Sequence, residues 1–134
     1  MAEGLAVSLP LYVDPIDGVY GLHKDFESMA NQNLKMLILT SPGERVMEPN
    51  YGVGIRRYLF AQNIPGTLGS IRSRILNQIS TYLPYITVRD LQVSSPAVFG
   101  STTGDVDLTR INISINYSIP AVNVTSILTL PIDA

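Results

Sequence analysis

From Ile111 to Ile119 the chain alternates without a slip. Ile111, Ile113, Ile115, Tyr117 and Ile119 fall on one side, and Asn112, Ser114, Asn116 and Ser118 on the other. Successive side chains of a strand point to opposite faces, so a segment with this period buries one face only as β-structure. After Pro120 the pattern resumes: Val122, Val124, Leu128 and Leu130 share a face with Ser126, opposite Asn123, Thr125, Ile127 and Thr129. No residue from Ile111 through Ile132 is charged. Exposed sheet edges are ordinarily guarded by lysines, inward charges or bulges, because their free N–H and C=O groups recruit other chains. Two readings fit this unguarded pair. Its strands are central and buried within the monomer, or they form a docking edge to which a partner adds a strand, with Ile127 and Thr129 facing that partner. Charged residues make up 15% of the chain, against about 25% in an ordinary globular domain. That deficit favours the docking edge, since a surface covered by partners needs less charge.

Upstream the hydrophobic period is helical. Phe26, Met29, Ala30, Leu34, Leu37 and Ile38 lie on one face, with Asp25 placed to cap the first turn and Ser41-Pro42-Gly43 to end the helix. Leu68, Ile71, Ile75, Leu76, Ile79 and Leu83 trace a second stripe, which Pro84 ends and Thr67 or Ser70 is placed to cap. Ile55 to Phe60 suggests a short helix between them. Ahead of the first helix, Leu9–Val13 and Val19–Leu22 flank Asp14-Pro15-Ile16-Asp17-Gly18, which predicts a short hairpin or paired arm. Ile86–Val88 and Leu91–Val93 suggest a strand, followed by a flexible stretch around Phe99–Gly104. Helices first and strands last predict an α+β fold: a hairpin or arm, two amphipathic helices and a C-terminal antiparallel sheet, in one domain spanning residues 1–134.

Little here can do chemistry. There are no cysteines and one histidine, which excludes disulfides, thiolate metal sites and clusters of His ligands. No cofactor is expected. A formal charge of −2 gives no basic field for nucleic acid or an anionic membrane. No stretch nears the roughly 18 apolar residues of a membrane span, and the apolar start has no positive region before it, so assembly in a cytoplasm is expected. His23, beside Lys24 and Asp25, reads as a solvated turn residue. Arg56, Arg57, Arg72 and Arg74 read as solvated helix faces or as contacts to an acidic partner. Tyr82 and Tyr85 fit either an interface or a cap on the core.

Between the helices, Pro42-Gly43-Glu44-Arg45-Val46-Met47-Glu48-Pro49-Asn50-Tyr51-Gly52 is too rich in Gly and Pro for regular structure and predicts an ordered loop. Glu44 and Arg45 are neighbours and would point to opposite sides of an extended segment, so each is expected to pair with a different group. An amphipathic helix ending in Leu39-Thr40, then Pro-Gly-Glu-Arg, a few residues, Pro49, and Tyr51-Gly52 resembles the baseplate wedge and sheath-initiator family of contractile tails. The resemblance runs on through Leu59-Phe60, the second long helix and the terminal strands. It makes Glu44, Arg45, Glu48, Pro49, Tyr51 and Gly52 organisers of the loop or contacts to partners.

Many members carry Glu-Pro-Arg at the end of the second long helix, a motif implicated in docking onto the wedge core. Here the residues are Leu83-Pro84-Tyr85, so an apolar contact through Leu83 and Tyr85 would replace a charged one. The resemblance implies a ring of copies in a virion tail, bound to other wedge proteins and near the tail tube. It implies that strands are offered to the first ring of the tail sheath protein, without enzymatic activity. An adaptor elsewhere in a tail is an alternative. Some relatives have been described as lysozymes, which makes Glu44 and Glu48, with Glu27 or Asp25 in reserve, the carboxylates to test. Glycoside hydrolysis needs one carboxyl group in an apolar setting, and this chain has no tryptophan to line a sugar cleft.

Overall fold

A computed structural model describes residues 4–60, 66–95 and 110–133. Three helices and two antiparallel sheets form the α+β fold that the two periods predict. Strands β1 (Ala6–Val7) and β2 (Leu22–His23) make a short pair, followed by helices α1 (Phe26–Leu39), α2 (Ile55–Tyr58) and α3 (Thr67–Tyr82). Strands β3 (Thr87–Ser94), β4 (Arg110–Ile119) and β5 (Val124–Asp133) form the main sheet in the order β3-β4-β5, all antiparallel. The stretch around Phe99–Gly104 lies outside the described residues.

The core is the inward set of β4 meeting the stripes of both long helices. Ile111, Ile113, Ile115 and Tyr117 are wholly buried, as are Leu34, Leu37 and Ile38 of α1 and Ile71 and Ile75 of α3. Helix α3 lies against β3, and α1 against β5. The Tyr117 hydroxyl donates to Asn31 Oδ1 at 2.7 Å, and Ser126 Oγ donates to Glu27 Oε1 at 2.6 Å, so α1 is tied to both β4 and β5. Leu76, expected in the α3 stripe, is partly exposed because one residue is a 100° step round the helix from Ile75. Phe26, in the first turn of α1, is also partly exposed.

The helix ends are where proline and glycine put them, but their caps differ. Asp25 occupies the cap position of α1 without a side-chain cap bond; its backbone carbonyl accepts from Met29 N instead. Helix α3 starts one residue earlier than Thr67 as a cap would allow, because Gly66 takes a positive φ of 109° that a side chain rarely adopts.

The N-terminal arm pairs as expected, with its ladder displaced to Ala6↔His23 and Val7↔Leu22. A single glutamine clasps it to α1. Gln32 Oε1 accepts from Leu9 N at 2.9 Å, while Gln32 Nε2 donates to Val7 O at 2.9 Å. His23 Nε2 lies 2.8 Å from the same Oε1, which makes it the donor, so His23 is a half-buried strand residue and not a solvated turn residue. Lys24 and Asp17 pair at 2.7 Å across the arm, and that bond holds the Asp17 carboxyl below its ordinary pKa.

Candidate functional site

Two surfaces carry the residues singled out by sequence, and they are built differently. The first is the loop between α1 and α2. It returns onto the end of α1: Val53 N donates to Leu37 O at 3.0 Å, and Gly54 N to Thr40 O at 2.9 Å, which occupies carbonyls that a helix end leaves free. Gly43 N donates to Pro49 O at 2.8 Å and closes the neck, leaving Val46 and Met47 at the tip, 93% and 90% exposed. Glu44 and Arg45 do part company. The Glu44 carboxylate accepts from Ser41 N at 3.1 Å, whereas the Arg45 guanidinium lies 3.8 Å above the Tyr51 ring. Tyr51 in turn meets Tyr82 edge-on at 5.1 Å. Burial raises the Tyr51 phenol pKa and the Arg45 cation partly offsets it.

The base of the loop is fastened by α3 residues that the helical pattern assigns to a polar face. Gln78 is buried; its Oε1 accepts from Gly52 N at 2.9 Å, and its Nε2 donates to Asn50 O at 3.1 Å. Arg74 donates to Gly52 O at 3.2 Å and to Val53 O at 3.3 Å. Their signal in the sequence is faint: a glutamine one residue from the apolar stripe. Gln78→Leu keeps the volume and strands the buried Gly52 N–H, so stability should fall by about 2 kcal/mol. A lower urea midpoint with an unchanged slope, together with faster exchange of the Gly52 amide, checks it.

Leu83, Pro84 and Tyr85 differ in exposure: Pro84 is exposed and Tyr85 half-buried. Leu83 is buried in the core, because the chain turns inward where Pro84 stops α3. Tyr85 packs against that core and accepts from Asn33 Nδ2 at 2.8 Å through its hydroxyl. Glu44 and Glu48 are both exposed, so neither has the apolar setting that a general acid needs.

The second surface is the sheet. Its two edges are unlike. Edge strand β3 carries Arg89 and Asp90, both exposed, and its register with β4 shifts between Val88 and Asp90. These are the devices that blunt an edge. Edge strand β5 carries no charge from Val124 to Leu130, and its guards, Pro131 and Asp133, come only at its last turn of alternation. In the order β3-β4-β5, β4 is central and β5 is, among the described residues, an edge. Ile127, 61% exposed, and Thr129 lie on the outer face of β5, opposite Asn116 and Ser114.

Two long helices over an antiparallel sheet, with a loop pinned between them, make a small α+β domain. The model of the baseplate wedge protein gp25 family matches residues 25–124, which bears out the resemblance of the Pro42–Gly52 segment. The chain belongs to the baseplate wedge protein gp25 family and is a structural component of a phage-tail-like baseplate. Two solved structures share the fold. One is a proposed tail lysozyme from Geobacter sulfurreducens, 23% identical, with a TM-score of 0.63 over 84% of this chain and 95% of that one. The other is in the baseplate of the anti-feeding prophage, solved with six-fold symmetry, 24% identical, with a TM-score of 0.65 over 85% of this chain and 83% of that one. No curated protein matches the chain by sequence.

Proposed function

We propose that this chain is the baseplate subunit on which the tail sheath starts, and that the first sheath ring attaches by adding a strand to β5. The observation that carries this reading is the contrast between the two edges: β3 is charged and bulged, and β5 is bare from Val124 to Leu130. An edge strand points the N–H and C=O of alternate residues away from its one neighbour, so an incoming strand finds donors and acceptors at fixed spacing. The alternation of β5 sets the register of that strand, because a slip of one residue would turn every side chain to the wrong face. Copies stand in a ring around the tail tube, held on one side by other wedge proteins and offering β5 on the other. The role is passive and uses no cofactor. In a phage-type particle the subunit would be assembled in the host cytoplasm and end in the virion tail.

Ile127→Lys with Thr129→Lys tests the edge. Both positions are on the outer face, so the folded chain should melt within about 0.5 kcal/mol of the parent, as surface substitutions usually do. Electron microscopy of assembled particles should then show baseplates and tubes with little or no sheath. Full-length sheath in normal register would overturn the proposal. The observation that favours a second reading is the likeness to a proposed tail lysozyme; release of peptidoglycan fragments by purified protein, abolished in Glu44→Gln or Glu48→Gln, would establish it.

A further inference from the structure

Among the described residues the arginines between the loop and α3 lack carboxylate counter-ions. Among the described residues, ion pairs join Lys24 to Asp17 and Arg110 to Asp133, and none involves Arg45, Arg56, Arg57, Arg72 or Arg74. Yet the chain as a whole is acidic, with a net charge of −2. Two of these arginines share one groove. Its inner stretch, about 380 Å³, is lined by Pro42, Val53, Arg57, Tyr58 and Arg74. Its outer stretch, about 700 Å³, continues past Tyr58 and Arg74 to Ser70, Ser73 and Asn77. Gly66 and Gly69 floor the outer stretch, where an added Cβ would meet nothing within 4 Å. Among the described residues no carboxylate lines either stretch.

The two guanidinium groups are held differently, and the difference matters. Arg74 is half-buried and spends its Nε and one Nη2 proton on Val53 O and Gly52 O. The rest of its planar fork is left for a ligand, already oriented and already partly dehydrated. Arg57 is exposed on α2, and Pro42 of the loop stands beside it on the groove wall. A preoriented guanidinium matches a carboxylate with paired, charge-assisted hydrogen bonds, and it loses little side-chain entropy in doing so.

We infer that this groove receives an aspartate- or glutamate-bearing extended segment of another baseplate wedge protein, with the carboxylate on Arg74 and Arg57. Ser70, Ser73 and Asn77 serve the segment's backbone. The inference rests on the reading of the chain as a wedge subunit, and it assigns the grip on the wedge to the groove while β5 serves the sheath. The two surfaces then fail separately. Charge complementarity selects the occupant: a cationic groove with no counter-ion among the described residues, on a chain that is otherwise acidic, favours an acidic segment over a neutral one.

Arg57→Glu is the test, because Arg57 is exposed and its side chain holds nothing within the fold. Baseplates are assembled with the variant in place of the parent, and the amount of this chain per particle is measured by quantitative mass spectrometry. Incorporation should fall by roughly thirtyfold when the charge is reversed, as for a close interfacial charge pair, and recover substantially in Arg57→Lys. Ser73→Asp, which supplies the groove with its own carboxylate, should act in the same direction. Arg72→Glu, on a different cavity beside β3, should incorporate like the parent. Ile127→Lys should also be retained on the baseplate while losing sheath. Parent-like incorporation of Arg57→Glu would overturn the inference. Equal loss in Arg72→Glu would overturn it as well, since the effect would then belong to overall charge.

Discussion

Gly52→Ala should cost about 4 kcal/mol and lower the melting temperature by about 15 °C, a large share of what a domain of this size has to lose. Gly52 sits at φ 108°, and a Cβ built there would lie against the Thr40 carbonyl, 2.8 Å from its carbon. That carbonyl cannot simply move aside, because its oxygen accepts from Gly54 N and its own residue caps α1 through Thr40 N and Oγ1 to Met36 O. The left-handed backbone alone penalises alanine by about 1–2 kcal/mol. Displacement of the loop adds the bonds of Gly52 to Gln78 and Arg74, each about 1 kcal/mol net. Gly43→Ala separates the two contributions. It has a similar φ of 94° but nothing within 4 Å of an added Cβ, so only the backbone penalty should appear, about 1 kcal/mol. Equal melting temperatures for the two variants would show that the contact with Thr40 does not matter.

Tyr117→Ala should be as damaging, lowering stability by about 3–5 kcal/mol, the usual range for removing a wholly buried aromatic ring. Tyr117 is 0% exposed in the central strand, where its ring fills the space under α1 and its hydroxyl reaches Asn31. Tyr117→Phe should lose only about 1 kcal/mol, the net worth of one hydrogen bond, provided Asn31 turns to solvent. Denaturant midpoints at a constant slope would measure both. A Phe variant as unstable as the Ala variant would mean that the Tyr117–Asn31 bond, rather than the packed ring, joins α1 to the sheet.

These two positions differ in how readable they were. Tyr117 announces itself, since it continues an unbroken run of inward isoleucines and needs no knowledge of its neighbours. Gly52 carries a weaker mark: a glycine after an aromatic in a Gly/Pro-rich loop implies a fixed turn but not what stands against it. Gln78 and Gln32 carried almost none. Both are polar residues on amphipathic helices, and both turned out to fasten backbone 25 or more positions away, Gln78 at Asn50 and Gly52, Gln32 at Val7. Leu83 carried two marks that disagree: its place in the apolar stripe of α3 pointed to the core, where it lies, and its place in a family motif pointed to a surface.

The uncharged end of the chain shows where the division falls. Alternation, prolines and glycines are local, so the faces of β4 and β5, the stops of α1 and α3, and the loop between them follow from the sequence alone. Which uncharged strand is central and which is bare does not. A strand's own pattern reports which face is buried and is silent about its edges, because edges are filled by hydrogen bonds to segments placed elsewhere by tertiary packing. Only the order β3-β4-β5 separates the two strands, placing β4 in the middle of the sheet and β5, among the described residues, at its edge.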